Sequence, residues 1–122
     1  MFPVVLAFGT FDLFHKGHEF FLAEAAQHGR LHVAVARDAH VRALKGKGTS
    51  RPETARLATV ARQPCVEQAV LSDETLGSYG VVRTLRPAVI ALGHDQDALE
   101  ADLRRWMAET GVDIPVVRIA RA

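Results

Sequence analysis

Gly9-Thr10-Phe11-Asp12-Leu13-Phe14-His15-Lys16-Gly17-His18 separates two unlike patterns. Before it, Val4 to Phe8 is a short continuous apolar run, the composition of a strand buried on both faces of a parallel sheet. After it, Gly17 to His28 places His18, Phe21, Leu22 and Ala25 at helical spacing, and Gly29 stops the pattern. A strand that breaks into a turn containing Gly and His and then opens a helix is a place for phosphates. Helix-start N–H groups and the positive end of the helix dipole face a ligand there. Imidazoles add donors of their own, and charge when protonated.

The rest of the chain repeats the alternation. Leu31 to Ala36 reads as a second strand closed by Arg37-Asp38, with Asp38 expected to cap a short helix through Leu44. Lys45 to Arg51 is a basic, glycine-containing loop. Pro52 is predicted at the first position of a helix that runs to about Arg62, with Leu57, Val60 and Ala61 inward. Val66 to Leu71 is a third strand, Ser72 to Gly77 a turn, and Tyr79 to Leu85 a helix ended by Pro87. Ala88 to Leu92 is a fourth strand that stops at Gly93-His94-Asp95-Gln96. Asp97 to Thr110 is an amphipathic helix with Leu99, Leu103, Trp106, Met107 and Thr110 on one stripe, and Ile114 to Ile119 is a fifth strand. Apolar strands alternating with helices predict an α/β fold: a three-layer α/β/α sandwich around a five-stranded parallel sheet, Rossmann-like, with strand order 3-2-1-4-5. Ligands of such sheets bind beyond the carboxyl ends of the strands. The Gly9–His18 motif, Gly93 to Gln96 and the region after Ile119 are therefore expected to meet in one cleft.

A chain of 122 residues is expected to form a single domain, residues 1–122, with a core of its own. Its net charge of +1 gives no global pull towards nucleic acid or membrane, so neither is expected as a partner and any anion site must be local. The lone Cys65 excludes a disulfide within this sequence and suits a reducing cytoplasm. With one cysteine, a structural zinc site is not expected. Neither a leader pattern nor an apolar stretch of membrane-spanning length is seen. Cys65 reads as a small buried hydrophobe, and His28, His32 and His40 as structural or surface residues.

The segment Gly9-Thr10-Phe11-Asp12-x-x-His15-x-Gly17-His18 resembles the signature of the HIGH-motif, cytidylyltransferase-like nucleotidyltransferases. Arg37-Asp38, Leu44-Lys45-Gly46-Lys47 and Pro52-Glu53-x-x-Arg56 are similar to family segments in the same order. Val89-Ile90-Ala91-Leu92-Gly93-His94-Asp95-Gln96 resembles the base-binding loop, in the form found in archaeal-type FAD synthases. The resemblance implies transfer of a nucleoside monophosphate from a nucleoside triphosphate, ATP or CTP, to a small phosphorylated acceptor, with release of pyrophosphate. FMN adenylyl transfer is the foremost version. Glycerol-3-phosphate or other cytidylyl transfer is the alternative.

It also implies roles. His15, His18, Lys45 and Arg56 would be catalytic. Phe8, Gly9, Thr10, Phe11, Gly17, Gly93, Asp95, Gln96 and Arg121 would bind the nucleotide, and Asp12 and Lys47 the acceptor. Mg²⁺ is expected with the triphosphate, held by phosphates and water rather than by protein ligands. Relatives are commonly dimers, so a homodimer is expected. In the family a Ser/Thr-rich segment follows the fifth strand, whereas this sequence stops at Arg121-Ala122. That departure brings in a reading of another class, a non-catalytic nucleotide-binding sensor or partner subunit. Taken without the motif, Lys45 to Arg51 also reads as a solvated loop, Arg56 as a surface charge, and Asp95 as a helix cap.

Overall fold

The computed structural model describes residues 2–121. Its elements are β1 (Val4–Gly9), α1 (Lys16–Ala26), β2 (Arg30–Val35), α2 (Asp38–Lys45), α3 (Glu53–Ala61), β3 (Val66–Leu71), α4 (Gly80–Leu85), β4 (Val89–Gly93), α5 (Asp97–Thr110) and β5 (Val116–Ile119). All strand pairs are parallel, in the order β3-β2-β1-β4-β5. The chain reverses direction across the sheet between β1 and β4, which makes their carboxyl ends the switch point.

The apolar runs explain the layers. Side chains alternate across a strand, so Val5 and Ala7 face one side of β1 while Leu6 and Phe8 face the other. The first side packs against Leu22 and Ala25 of α1 and Val60 of α3. The second packs against Val82 of α4 and Leu103, Trp106 and Met107 of α5. Both sides of the sheet are covered, as an all-parallel sheet requires. Gly9 pairs with Val35 and Gly93 with Ile119, so the site-bearing turns leave the sheet at aligned strand ends. Among the described residues no helix is long and apolar enough to cross a membrane.

Several local expectations shift. Pro52 stands one residue outside α3, with an extended ψ of 158°, instead of at the first helical position. Ala61 and Thr110 are exposed; each is the last residue of its helix. At the β3 edge, the register passes from Leu31↔Val66 to His32↔Gln68, leaving Glu67 as the extra residue of a bulge. The Glu67 carboxylate reaches Arg30 at 3.1 Å, a charge on an edge strand of the kind that discourages further strand pairing.

Leu103 is fully buried between α5 and the sheet. Leu103→Ala should cost about 2–5 kcal/mol of stability, read by chemical denaturation.

Candidate active site

The motif folds around its own side chains. Beyond β1 the backbone turns through two left-handed residues, Phe11 at φ 55° and Leu13 at φ 49°. Such conformations cost about 1 kcal/mol or more in non-glycine residues and persist only where surrounding structure enforces them. Here the Phe11 ring enforces one: it is 3% exposed and folds back over Gly9. A Cβ on Gly9 would lie 2.5 Å from the Phe11 ring, so no side chain fits there.

The imidazoles cap α1. The Nδ1 atom of His15 accepts a hydrogen bond from the Gly17 N–H at 3.0 Å, and the His15 N–H donates to Nδ1 of His18 at 3.2 Å. This is a capping box built from imidazoles in place of a hydroxyl and a carboxamide. A ring nitrogen that accepts carries no proton, so each neutral ring holds its proton on Nε2. Both Nε2–H groups are thereby left for a ligand at the start of the helix. Gly17 belongs to the same device, since a Cβ there would stand 2.8 Å from the His15 ring.

Phe11, Phe14 and His15 surround the His18 ring, with centroids at 5.4, 5.3 and 4.0 Å. Burial holds the His18 pKa below the usual imidazole value; the nearby His15 adds to this and Asp95 opposes it. The unfolded chain therefore binds a proton more readily than the folded one. Stability from this group is complete above the ordinary imidazole pKa and is lost as pH falls through it towards the folded value. Melting temperature should drop between pH 7 and 5.5. His18→Gln, which keeps an acceptor at the third helical position without titrating, should flatten that slope.

The basic loop is tied to the motif by a network of side chains. Asp12 accepts from the N–H groups of Ser50 at 2.8 Å and Arg51 at 3.0 Å. Those bonds, first of all the one from Ser50, hold the Asp12 carboxyl below the usual range. Asp38 and Glu53 cap each other's helices: Glu53 accepts the Asp38 N–H at 2.7 Å, and Asp38 accepts the Glu53 N–H at 3.1 Å. Asp38 is thus a cap, but for α3 and not for its own helix. The reason is proximity in space, because the starts of α2 and α3 lie side by side.

Arg56 lies beneath this network with no exposure to solvent. Its Nη1 donates to the Thr10 carbonyl at 2.7 Å, Nη2 to Asp38 at 2.7 Å and Nε to the Arg51 carbonyl at 3.1 Å. The family resemblance implies a catalytic role for Arg56, and without the motif it reads as a surface charge. The structure places the guanidinium in the interior, where each nitrogen is committed to protein oxygen. Arg56→Ala should lower stability by about 3 kcal/mol, since it strips donors from buried acceptors. That corresponds to roughly 10 °C in melting temperature. A surface phosphate ligand would lose activity with melting unchanged.

On the other side of the switch point, Gln96 and Arg118 shape the loop after β4. The Gln96 side chain accepts the Gly93 N–H at 2.7 Å and donates to the Phe8 carbonyl at 3.0 Å, joining the ends of β4 and β1. Arg118 donates to the carbonyls of Gly93 and His94, each at 2.9 Å, and pairs with Asp97 and Glu100, each at 2.8 Å. Gln96 is therefore a brace of the loop, and its amide is spent on backbone. Asp95 is exposed and makes no cap bond; Gln96 occupies the cap position of α5.

Residues 6–120 match the model of a protein family described as cytidylyltransferase-like. The chain belongs to that family. It is 40% identical over 116 residues to the FAD synthase of Methanocella arvoryzae, covering 94% of this chain and 81% of that one. It is also 40% identical over 121 residues to the FAD synthase of Methanopyrus kandleri, covering 96% and 79%. Among solved structures, a lipopolysaccharide core biosynthesis protein from Thermoplasma volcanium superposes with a TM-score of 0.89 at 34% identity, covering 100% of this chain and 99% of that one. Pantothenate synthetase from Thermus thermophilus shares the fold alone, with a TM-score of 0.62 at 14% identity, over 97% of this chain and 55% of that one.

As a cytidylyltransferase-like protein the chain is a nucleotidyltransferase. Its structure brings Phe8, Gly9, Thr10, Phe11, His15, Gly17 and His18 to one end of the sheet, with Gly93, Asp95 and Gln96 beside them. Lys45 ends α2 and Lys47 follows in the loop; both are exposed, and neither is in an ion pair among the described residues. Arg121 is exposed beyond β5. Asp12 has both oxygens engaged by the loop backbone, a different use from the expected contact with an acceptor. Sequence reasoning missed Arg118 altogether. The bracing role of Arg56 had one usable signal: it stands four residues before Val60 and so shares its inward stripe.

Proposed function

We propose that the chain transfers the adenylyl group of ATP to the phosphate of FMN, giving FAD and pyrophosphate. The FAD synthase names of relatives at 40% identity support the choice of substrates. The observation that carries the chemistry is the pair of imidazoles whose Nδ1 atoms are both occupied, so that two Nε2–H donors stand at a helix start.

In this reaction an oxygen of the FMN phosphate forms a bond to the α-phosphorus of ATP. The bond from that phosphorus to the bridging oxygen breaks, and its electron pair leaves with pyrophosphate. The nucleophile arrives ionised, so the protein's task is to align reactants and stabilise charge spreading over phosphate oxygens. His15 and His18 would donate from Nε2 to the α- and β-phosphates. Thr10 and the backbone at Phe11 would hold the triphosphate from the strand end, Gly9 and Gly17 would leave room for its close approach, and Phe8 would form the wall below it. Lys45 and Lys47 would act as mobile point charges on the phosphates. Gly93 and Asp95 would face the base and ribose, and Arg121 the phosphates from beyond β5.

Among the described residues no group of His, Cys, Asp or Glu converges as a metal site. Asp12 and Asp38, the carboxylates bound to the basic loop, already accept N–H or guanidinium donors. Magnesium would accompany the triphosphate and would neutralise phosphate charge there.

Purified protein given ATP, FMN and Mg²⁺ should release pyrophosphate and form FAD. His18→Ala should reduce turnover by about 10²-fold while the circular dichroism spectrum is kept. The family resemblance leaves cytidylyl transfer to glycerol 3-phosphate as the second pairing. Release with CTP and glycerol 3-phosphate, and none with FMN, would establish that one instead.

A further inference from the structure

The basic loop has an unusual means of support. It leaves α2 at Gly46, which is left-handed at φ 75°, and contains Gly48, so its first half has little intrinsic stiffness. Its second half is held at a single peptide region. The Ser50 and Arg51 N–H groups donate to the two carboxylate oxygens of Asp12, across 38 and 39 residues of chain. The Arg51 carbonyl lies 3.1 Å from Arg56 Nε and 2.6 Å from the Thr49 hydroxyl. That hydroxyl is also 3.2 Å from Asp38; with one proton it donates to the nearer oxygen. The Arg51 side chain is tied in turn to Thr59 of α3 at 3.0 Å. The same segment is thus gripped from its N–H side by the motif and from its carbonyl side by α3.

We propose that Asp12 is a positioning residue: its carboxylate, opposite the Arg56 guanidinium, anchors the Ser50–Arg51 backbone so that Lys45 and Lys47 are held beside the motif imidazoles. This rests on the reading of those lysines as phosphate ligands given above. Asp12 acts through the loop and does not touch substrate. Lys47 is three residues from Ser50, so the anchor confines it to within about 11 Å of that point. Without the anchor, a glycine-containing loop would have to be ordered by the nucleotide, at a cost in binding. The bonds are charge-assisted on the acceptor side, which makes them the strong type of backbone anchor. Asn at this position offers an N–H₂ group to one of two N–H donors, so Asp12→Asn breaks one bond with almost no change in volume.

The test has an arm that needs no substrate. In amide hydrogen exchange followed by NMR, Asp12→Asn should exchange at Ser50 and Arg51 about tenfold faster or more than the wild type, with core amides unchanged. In the second arm, Asp12→Asn should lower kcat/KM by about tenfold, mainly through KM for MgATP. In a Lys45→Ala/Lys47→Ala background the same change should cost less than about twofold. Unchanged exchange at both amides, or a full loss of activity retained in the lysine-free background, overturns the proposal. Should no acceptor support turnover, the functional reading fails, the exchange arm still decides the anchoring, and the cycle is run on the Kd for MgATP by calorimetry. If Asp12→Asn does not fold, Asp12→Ser, whose hydroxyl oxygen can accept from only one of the two N–H groups, takes its place in both arms.

Discussion

A guanidinium without solvent holds the active-site half of this molecule together. Arginine does not shed its charge in a protein, so an interior site must supply an anion and enough oxygen to replace water. Arg56 receives both. Asp38 supplies the anion, and the carbonyls of Thr10 and Arg51 supply oxygen. The Asp38 side chain is 44% exposed, so only one member of the pair bears full desolvation. Those contacts bind the motif, the start of α2, the basic loop and α3 to one point. The reciprocal caps of Asp38 and Glu53 depend on the same geometry, since Arg56 fixes the carboxylate that α3 uses as its cap.

Both sides of the cleft are braced by side chains that reach backbone across long sequence intervals. On the β2 side the braces are the charged Asp12 and Arg56. On the β4 side, Gln96 spans from Gly93 to Phe8 and fastens two neighbouring strand ends. Arg118 then draws the Gly93 and His94 carbonyls towards the β5 edge. The Gly93 N–H and both of these carbonyls are therefore occupied by the protein itself. The exposed Asp95 carboxylate is left as the acceptor that this loop presents to solvent.

Patterns of local origin were legible in the sequence. The α5 boundaries, Asp97 to Thr110, follow from a long amphipathic stripe between a polar turn and a terminal glycine, and the structure keeps them. The parallel sheet follows from apolar runs that alternate with helices, and its order is the expected Rossmann-like one. What was not legible depends on contacts between distant residues. Arg56 looks like a surface charge because its partners stand 5, 18 and 46 positions away. Asp38 looks like the cap of its own helix, as a carboxylate at a helix start commonly is, until α3 is placed beside it. Phe11 and Leu13 carry no sequence sign of left-handed backbone, since only Gly or Asn would announce it.

The motif histidines invite an acid–base reading that their hydrogen bonds argue against. A general base needs a free ring lone pair, and in both rings the Nδ1 lone pair is taken by a backbone N–H. The remaining nitrogen carries the proton and can only give a hydrogen bond. Burial of His18 reinforces the neutral state by making protonation unfavourable. Two fixed N–H donors are of little use for activating a hydroxyl or a water. They suit a reaction whose nucleophile, a phosphate monoester, is already largely ionised near neutral pH and whose difficulty lies in charge on phosphate oxygens. The capping box thus does more than start a helix. By consuming one nitrogen of each imidazole it sets the tautomer, and the tautomer restricts the site to electrostatic work.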